Sequence, residues 1–256
     1  LGFGVGRDVR GVAVGGLGLG VGGDVQGLGI GGLGMGISGS MRGAGVGLLG
    51  LAAGGEVRGL TIGGLGVAAG TDATGTTIGG LGVAVGEDAS GLLVGGLGAA
   101  VGGDMRGLAV GGLGLGIGGD IEGITLAGLG FGAGGDVSGV QIAGLGMGVG
   151  GTARWLSVAG GGIGATEIEG VAIATGIATR DATGLIVAPA YFRLDSGVMR
   201  GLNISAVNDV RGTQRGLAIG IFNYARVLDG VQIGLLNYAR NKPSARLLPL
   251  VNWASE

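Results

Sequence analysis

The stretch DMRGLAVGGLGLGIGGD, Asp104 to Asp120, decides how this chain is read. Glycine takes nearly every second place in an otherwise apolar run, and the run recurs. Moving in steps of sixteen from Asp8 meets Asp24, Ser40, Glu56, Asp72, Asp88, Asp104, Asp120, Asp136 and Thr152. The same step from Gly11 meets glycine at 27, 43, 59, 75, 91, 107, 123 and 139, and from Leu17 it meets leucine at 33, 49, 65, 81, 97, 113, 129 and 145. Self-similarity at a fixed period is the mark of a solenoid, in which each repeat buries its apolar residues only by stacking on its neighbours.

Within the second repeat the apolar residues are Val25, Leu28, Ile30, Leu33, Met35 and Ile37. Leu28/Ile30 and Leu33/Met35/Ile37 alternate with period two, the spacing that sends side chains to one face of a strand, so all six are the expected core. Gly31-Gly32, Gly22-Gly23-Asp24 and Gln26-Gly27 read as corners. Strands this short do not suit a membrane barrel, whose strands need about 9 to 11 residues. A solenoid stacks like on like at about 4.8 Å per coil. The expected fold is therefore all-β: a single elongated β-solenoid (β-helix) of 16-residue coils, some sixteen in all, with Leu81, Leu97 and Leu113 in one interior column.

Composition removes several other classes. Glycine contributes 72 of 256 residues, but not at every third place, and with only 3 prolines collagen is excluded. An apolar share of 46% against 12% charged is the reverse of a disordered chain. A net charge of -2 gives no footprint for nucleic acid. There is no cysteine or histidine, hence no disulfide framework, thiolate site or imidazole base. No apolar run is long enough for a membrane helix. No charged and apolar leader opens the sequence at Leu1, so an export signal is expected to be absent or already removed.

The regular array occupies residues 1–154. Residues 155–256 form looser, aromatic-richer coils and a C-terminal cap, continuous with the array. Their units GVAIATG, GLIVAPA, GLNISAVN, GLAIGIFNYAR and GVQIGLLNYAR start at Gly170, Gly184, Gly201, Gly216 and Gly230, spacings of 14 to 17. All three prolines and most aromatic residues lie here. The balance of charge also shifts, from 6 basic and 10 acidic residues in 1–154 to 9 basic and 7 acidic in 155–256. Asn208, Asn223, Asn237 and Asn252 recur at near-coil spacing. They are expected at a turn in the column that begins with Gly18, because asparagine tolerates a left-handed backbone, and stacked asparagines can also bond along a ladder.

The segment from Gly201 onward, above all GLAIGIFNYAR, GVQIGLLNYARN and the closing LLPLVN, resembles the glycine-rich surface-repeat family of bacterial proteins first recognised in Leptospira. The resemblance implies a bacterial cell-surface, outer-membrane or extracellular setting. It supplies no catalytic residue.

Chemical signatures are sparse. The Gly-Gly-Asp corners resemble calcium-binding nonapeptide repeats, but the period is sixteen, each coil has one such corner and the column is interrupted at Ser40 and Thr152, so a structural Asx corner is expected and no metal. Dinucleotide-like glycine strings are followed by no helix, so no cofactor is expected. Asp181, Arg193, Asp195, Arg200, Asp209 and Arg211 are the residues from which a polysaccharide-processing groove would be built, although solvated corners are the simpler reading. Threonines at 61, 77 and 125 form no continuous rank of the kind that ice binding asks for.

What turns do not explain is glycine in mid-strand. Gly66, Gly82, Gly98 and Gly114, beside Ala68, Ala84, Ala100 and Gly116, are expected to form a flat outer face. Mid-strand glycine weakens a strand by about 0.5 to 1 kcal/mol relative to alanine, which a second sheet packed closely on that face would offset. The expected function is accordingly non-enzymatic: a structural or adhesive surface protein that self-associates, as a homo-oligomer or filament, or meets another envelope protein through this face. The alternatives are a solenoid that binds ice, polysaccharide or calcium, and an outer-membrane-associated β protein.

Overall fold

The computed structural model describes residues 2–255 and contains strands, turns and bends but no helix among them. The chain is a parallel β-solenoid, divided into two compact units, Leu1–Ala133 and Gly134–Glu256. Thirteen glycines at positive φ mark its corners among the described residues, and Trp155 and Gly230 stand in register with them, fifteen positions against the sixteen coils expected.

In the first unit each coil has a seven-residue strand and a four-residue strand, Met105–Gly111 and Gly114–Ile117 for example. Every strand pairs in parallel with its equivalent sixteen residues on: Met105 with Ile121, Gly107 with Gly123, Leu115 with Phe131. The corner glycine of each long strand has φ between 105° and 133° in this unit. At Gly107 a Cβ would also stand 2.3 Å from the Gly91 carbonyl oxygen of the previous coil. Only glycine fits both demands.

The direction in which the long strands face corrects the expected core. Val25, Met35 and Ile37 are buried, but Leu28 and Ile30 are half-exposed and Leu33 is exposed, while Gly29 and Gly31 point inward. In this coil the space opposite Met35 is already taken. A Cβ at Gly29 would meet Met35 Sδ at 2.7 Å, and one at Gly31 would meet the Gly34 carbonyl oxygen at 2.1 Å. At Gly29 and Gly45 the side chains of Met35 and Leu51 on the short strand take the space, whereas Leu93 and Gln141 are fully buried at the same place in other coils, as are Val25, Met41 and Met105 at the start of their long strands. The leucines at 81, 97 and 113 are not interior either. From Leu17 to Leu129 this column stands at the bend between the strands, each leucine 48 to 54% exposed. Thr61, Thr77 and Thr125 lie inside the coil, fully buried, which removes them from any ice-binding surface.

In the second unit the strands lengthen and run through the corners, as in Gly176–Leu194 and Val198–Ile219. Pairing stays parallel, with register shifts at Val149/Thr152, Ala188/Tyr191 and Val210/Thr213 absorbing the change in coil length. The last strand, Leu247–Ala254, reverses and pairs antiparallel with Phe222–Ala239. It covers an edge that would otherwise offer unpaired backbone groups.

The asparagines are core residues, not turn residues. Asn208 follows Phe192 in the inward column, and Asn208, Asn223, Asn237 and Asn252 are all fully buried. None has positive φ. Asn208 Nδ2 donates to Asn223 Oδ1, and Asn223 Nδ2 to Asn237 Oδ1, both at 2.6 Å. Asn252 lies on the reversed strand opposite Gln232 and donates to the Asn237 carbonyl at 3.2 Å, closing the ladder from another direction. A buried amide without partners would be costly, and the ladder supplies them coil by coil, leaving Asn208 Oδ1 at its first rung without one.

Candidate interaction face

The outer surface of the short strands in the first unit is built from two columns with different reasons for lacking side chains. The first contains Gly66, Gly82, Gly98 and Gly114. A Cβ at these positions would stand 3.3, 3.5, 3.0 and 3.5 Å from the carbonyl oxygen of the next coil's glycine. Close approach of the neighbouring coil therefore accounts for much of this column. The second contains Ala68, Ala84, Ala100 and Gly116, all exposed. A Cβ at Gly116 meets nothing within 4 Å, and the same is true of Gly4, Gly20, Gly36 and Gly132 in the same column. Side chains have room here and are absent. The result is a trough about 510 Å³ in volume over Gly34, Gly36, Gly50, Ala52, Gly66 and Ala68.

Beside the trough stands the exposed leucine column. Its backbone is held rung to rung, Leu97 N–H to the Leu81 carbonyl at 2.7 Å and Leu113 N–H to the Leu97 carbonyl at 2.6 Å. Stacked leucines half open to water form a contiguous apolar ridge, and such patches on a surface mark contacts with other molecules.

The acidic corners are spent on structure. Asp8 Oδ1 accepts the backbone N–H of Asp24 at 3.0 Å, Asp88 that of Asp104 at 2.7 Å, and Asp104 that of Asp120 at 2.8 Å. Each carboxylate thus caps the equivalent corner one coil on. In the second unit Asp136 does this for Thr152 at 2.8 Å. That backbone bond, reinforced by Arg154 and opposed by partial burial, holds the Asp136 carboxyl below the usual carboxylate range. Among the described residues no group of three or more metal-ligating side chains converges.

The charged residues expected at 181 to 211 do not form one groove. Asp181 is a corner acceptor for the Val198 N–H at 2.8 Å, and Arg200 follows Thr183 on the long-strand side of the coil. Arg193 pairs with Asp195, and Arg211 Nε donates to Asp209 Oδ2 at 2.9 Å. Tyr191 joins the second pair, its hydroxyl donating to Asp209 Oδ2 at 3.0 Å. Burial first, then this bond to a carboxylate, raises the Tyr191 pKa. Around Asp195, Asp209 and Arg211 the structure gathers residues that the reading of charges passed over: Tyr191, Phe222, Tyr224, Arg226 and Arg240 line one cleft of about 660 Å³. The signal was present, since Asn-Tyr-Ala-Arg occurs twice, at 223 and 237, one coil apart. No protein-family model, no curated protein and no solved structure matches this chain.

Proposed function

We propose that this chain is a non-enzymatic structural protein of the bacterial cell surface that associates with further copies of itself through its Gly/Ala trough. The observation that carries the reading is the column from Gly4 to Gly132, which has open space above it yet is glycine or alanine in every coil. A solvated strand would be served better there by threonine or valine. The trough repeats at the spacing of adjacent strands, about 4.8 Å, so a surface that fits every rung has that same spacing, which another copy supplies. The leucine ridge beside it adds apolar area to such a contact. The cell-surface setting rests on the resemblance of GLAIGIFNYAR and GVQIGLLNYAR to surface repeats.

The test is a triple variant, Ala84→Thr, Ala100→Thr and Gly116→Thr, in light scattering beside melting curves. The expected result is a melting temperature equal to or above the parent's with association abolished. A wild type that stays monomeric at high concentration, or a variant that assembles like its parent, overturns the proposal. Gly98→Thr is unsuitable because its Cβ would press on the Gly114 carbonyl at 3.0 Å.

One observation favours a second reading. The long strands expose Val12, Val14, Leu60, Ile124 and Leu126, an aliphatic outer face that suits an outer-membrane-associated protein. Flotation of the purified protein with phospholipid vesicles separates the two: co-flotation of the triple variant supports lipid contact independent of the trough.

A further inference from the structure

The outer column that is bare in the first unit acquires side chains within the second. Ala178 follows Gly164 in register, and one coil later the Tyr191 N–H bonds to the Thr175 carbonyl, which places Arg193 over Ala178. Asp209 then follows Arg193, and Tyr224 follows Asp209. Tyr238 stacks on Tyr224, ring centroids 5.6 Å apart and planes at 6°. Two residues after each of the last four stand Asp195, Arg211, Arg226 and Arg240.

The charges along this surface are not balanced rung by rung. Asp195 is taken by Arg193 and Asp209 by Arg211. Arg226 and Arg240 are exposed and have no carboxylate partner among the described residues. Two arginines on successive coils, their strands about 4.8 Å apart, thus line the cleft without an ion pair of their own, beside Asp195 and Asp209, which are already paired. Each guanidinium is a planar fork suited to a carboxylate. The stacked tyrosines cover one another's facing surfaces and are half-buried. Phe222 and Tyr191, 37% and 39% exposed, give the cleft an apolar side.

We infer that this cleft binds an acidic polysaccharide, with carboxylates of successive sugars on Arg226 and Arg240 and sugar C–H surfaces against Phe222 and Tyr191. The site is distinct from the Gly/Ala trough and does not depend on self-association. A linear polymer matches it because the cationic groups repeat along the coil axis. Single-stranded nucleic acid is the competing occupant, since it would use the same arginines and exposed aromatic residues, and the titration separates the two.

The experiment is titration calorimetry of the full chain at low salt with four probes: oligogalacturonate, a neutral cello-oligosaccharide, an oligothymidylate and inorganic phosphate. Oligogalacturonate is expected to bind, to weaken as salt rises, and to lose at least tenfold in affinity in the double variant Arg226→Gln and Arg240→Gln. The melting curve of that variant should match the parent's, because neither side chain bonds within the fold. Absence of oligogalacturonate binding overturns the inference. So does unchanged affinity in the double variant, or binding of the neutral sugar, the oligothymidylate or phosphate as tight as that of the uronate.

Discussion

Trp155 occupies a place that every neighbouring coil gives to glycine. It pairs with Gly139 on one side and Gly170 on the other. Those glycines have φ of 122° and 125°, whereas Trp155 sits at 80°. The tryptophan has moved toward the left-handed region because its Cβ forbids the glycine geometry, and a bulky residue there is strained by about 1 to 3 kcal/mol. Its side chain is 72% exposed, so little packing offsets the strain. Trp155→Gly should release that strain, less about 0.5 to 1 kcal/mol for the added freedom of glycine in the unfolded chain. The net expectation is a gain of about 1 kcal/mol, which for a chain of this size raises the melting temperature by about 2 to 4 °C. Thermal unfolding followed by circular dichroism reads it directly, with Gly107→Ala as the opposite control: φ of 118° and a Cβ 2.3 Å from the Gly91 carbonyl oxygen predict a loss. A fall in melting temperature for Trp155→Gly would refute the reasoning and show that the indole packs more than its exposure indicates.

Three further outcomes follow from inward and outward placement. Leu97→Asp should leave the melting temperature nearly unchanged because the side chain is half in water, whereas Leu115→Asp, in the interior, should unfold neighbouring coils by burying an unpaired charge. Asn223→Ala removes the acceptor of Asn208 and the donor to Asn237, and denaturant titration should show a loss of about 1 to 3 kcal/mol. Asp136 has a folded pKa below its ordinary value, so its contribution is present above about pH 4 and lost as pH falls through the depressed folded value. Melting curves from pH 6 down to pH 2 should show a shallower acid decline in Asp136→Asn than in the parent.

The period, the parallel stacking and the corners were legible because each leaves a column of identical residues in the sequence. Which side of the long strand faces inward was not. Hydrophobicity alone sends Leu28 and Ile30 to the core and Gly29 outward, and the structure does the reverse. The deciding quantity at Gly29 is the space left by the residue across the coil, where Met35 Sδ lies 2.7 Å from a Cβ, and Leu93 fills the equivalent place in a later coil; no pattern along one strand reports that distance. The cleft is half legible: the charges at 193, 195, 209 and 211 stand out in the sequence, while Arg226 and Arg240 lie inside units whose repetition already has a structural explanation.

The aspartate corners show whether the repeat is merely copied or fitted. A Cβ at Gly39 would lie 2.1 Å from Asp24 Oδ1, and one at Gly119 2.2 Å from Asp104 Oδ1, so glycine before each corner makes room for the previous coil's carboxylate. Thr71 breaks the glycine column in the coil that follows Glu56. The Glu56 carboxylate does not cap Asp72; it turns to Arg58, whose Nη2 is 2.6 Å from Oε1. The longer acid and the larger residue above it are thus compatible changes. Glu87 also lacks the glycine, yet Asp72 still accepts the Asp88 N–H at 3.1 Å, so the cap survives a Cβ at that place. Glu56→Asp alone should destabilise, because it gives up the Arg58 pair and forms its cap beneath the Thr71 Cβ as Asp72 does beneath Glu87, and Thr71→Gly alone should cost about 0.5 to 1 kcal/mol as glycine in an ordered chain. Together they recreate the cap seen at Asp104, so the double variant should be more stable than the sum of the two losses by about 1 kcal/mol or more. Additive losses in that cycle would mean that the two substitutions are unrelated drift and that the corner tolerates either residue.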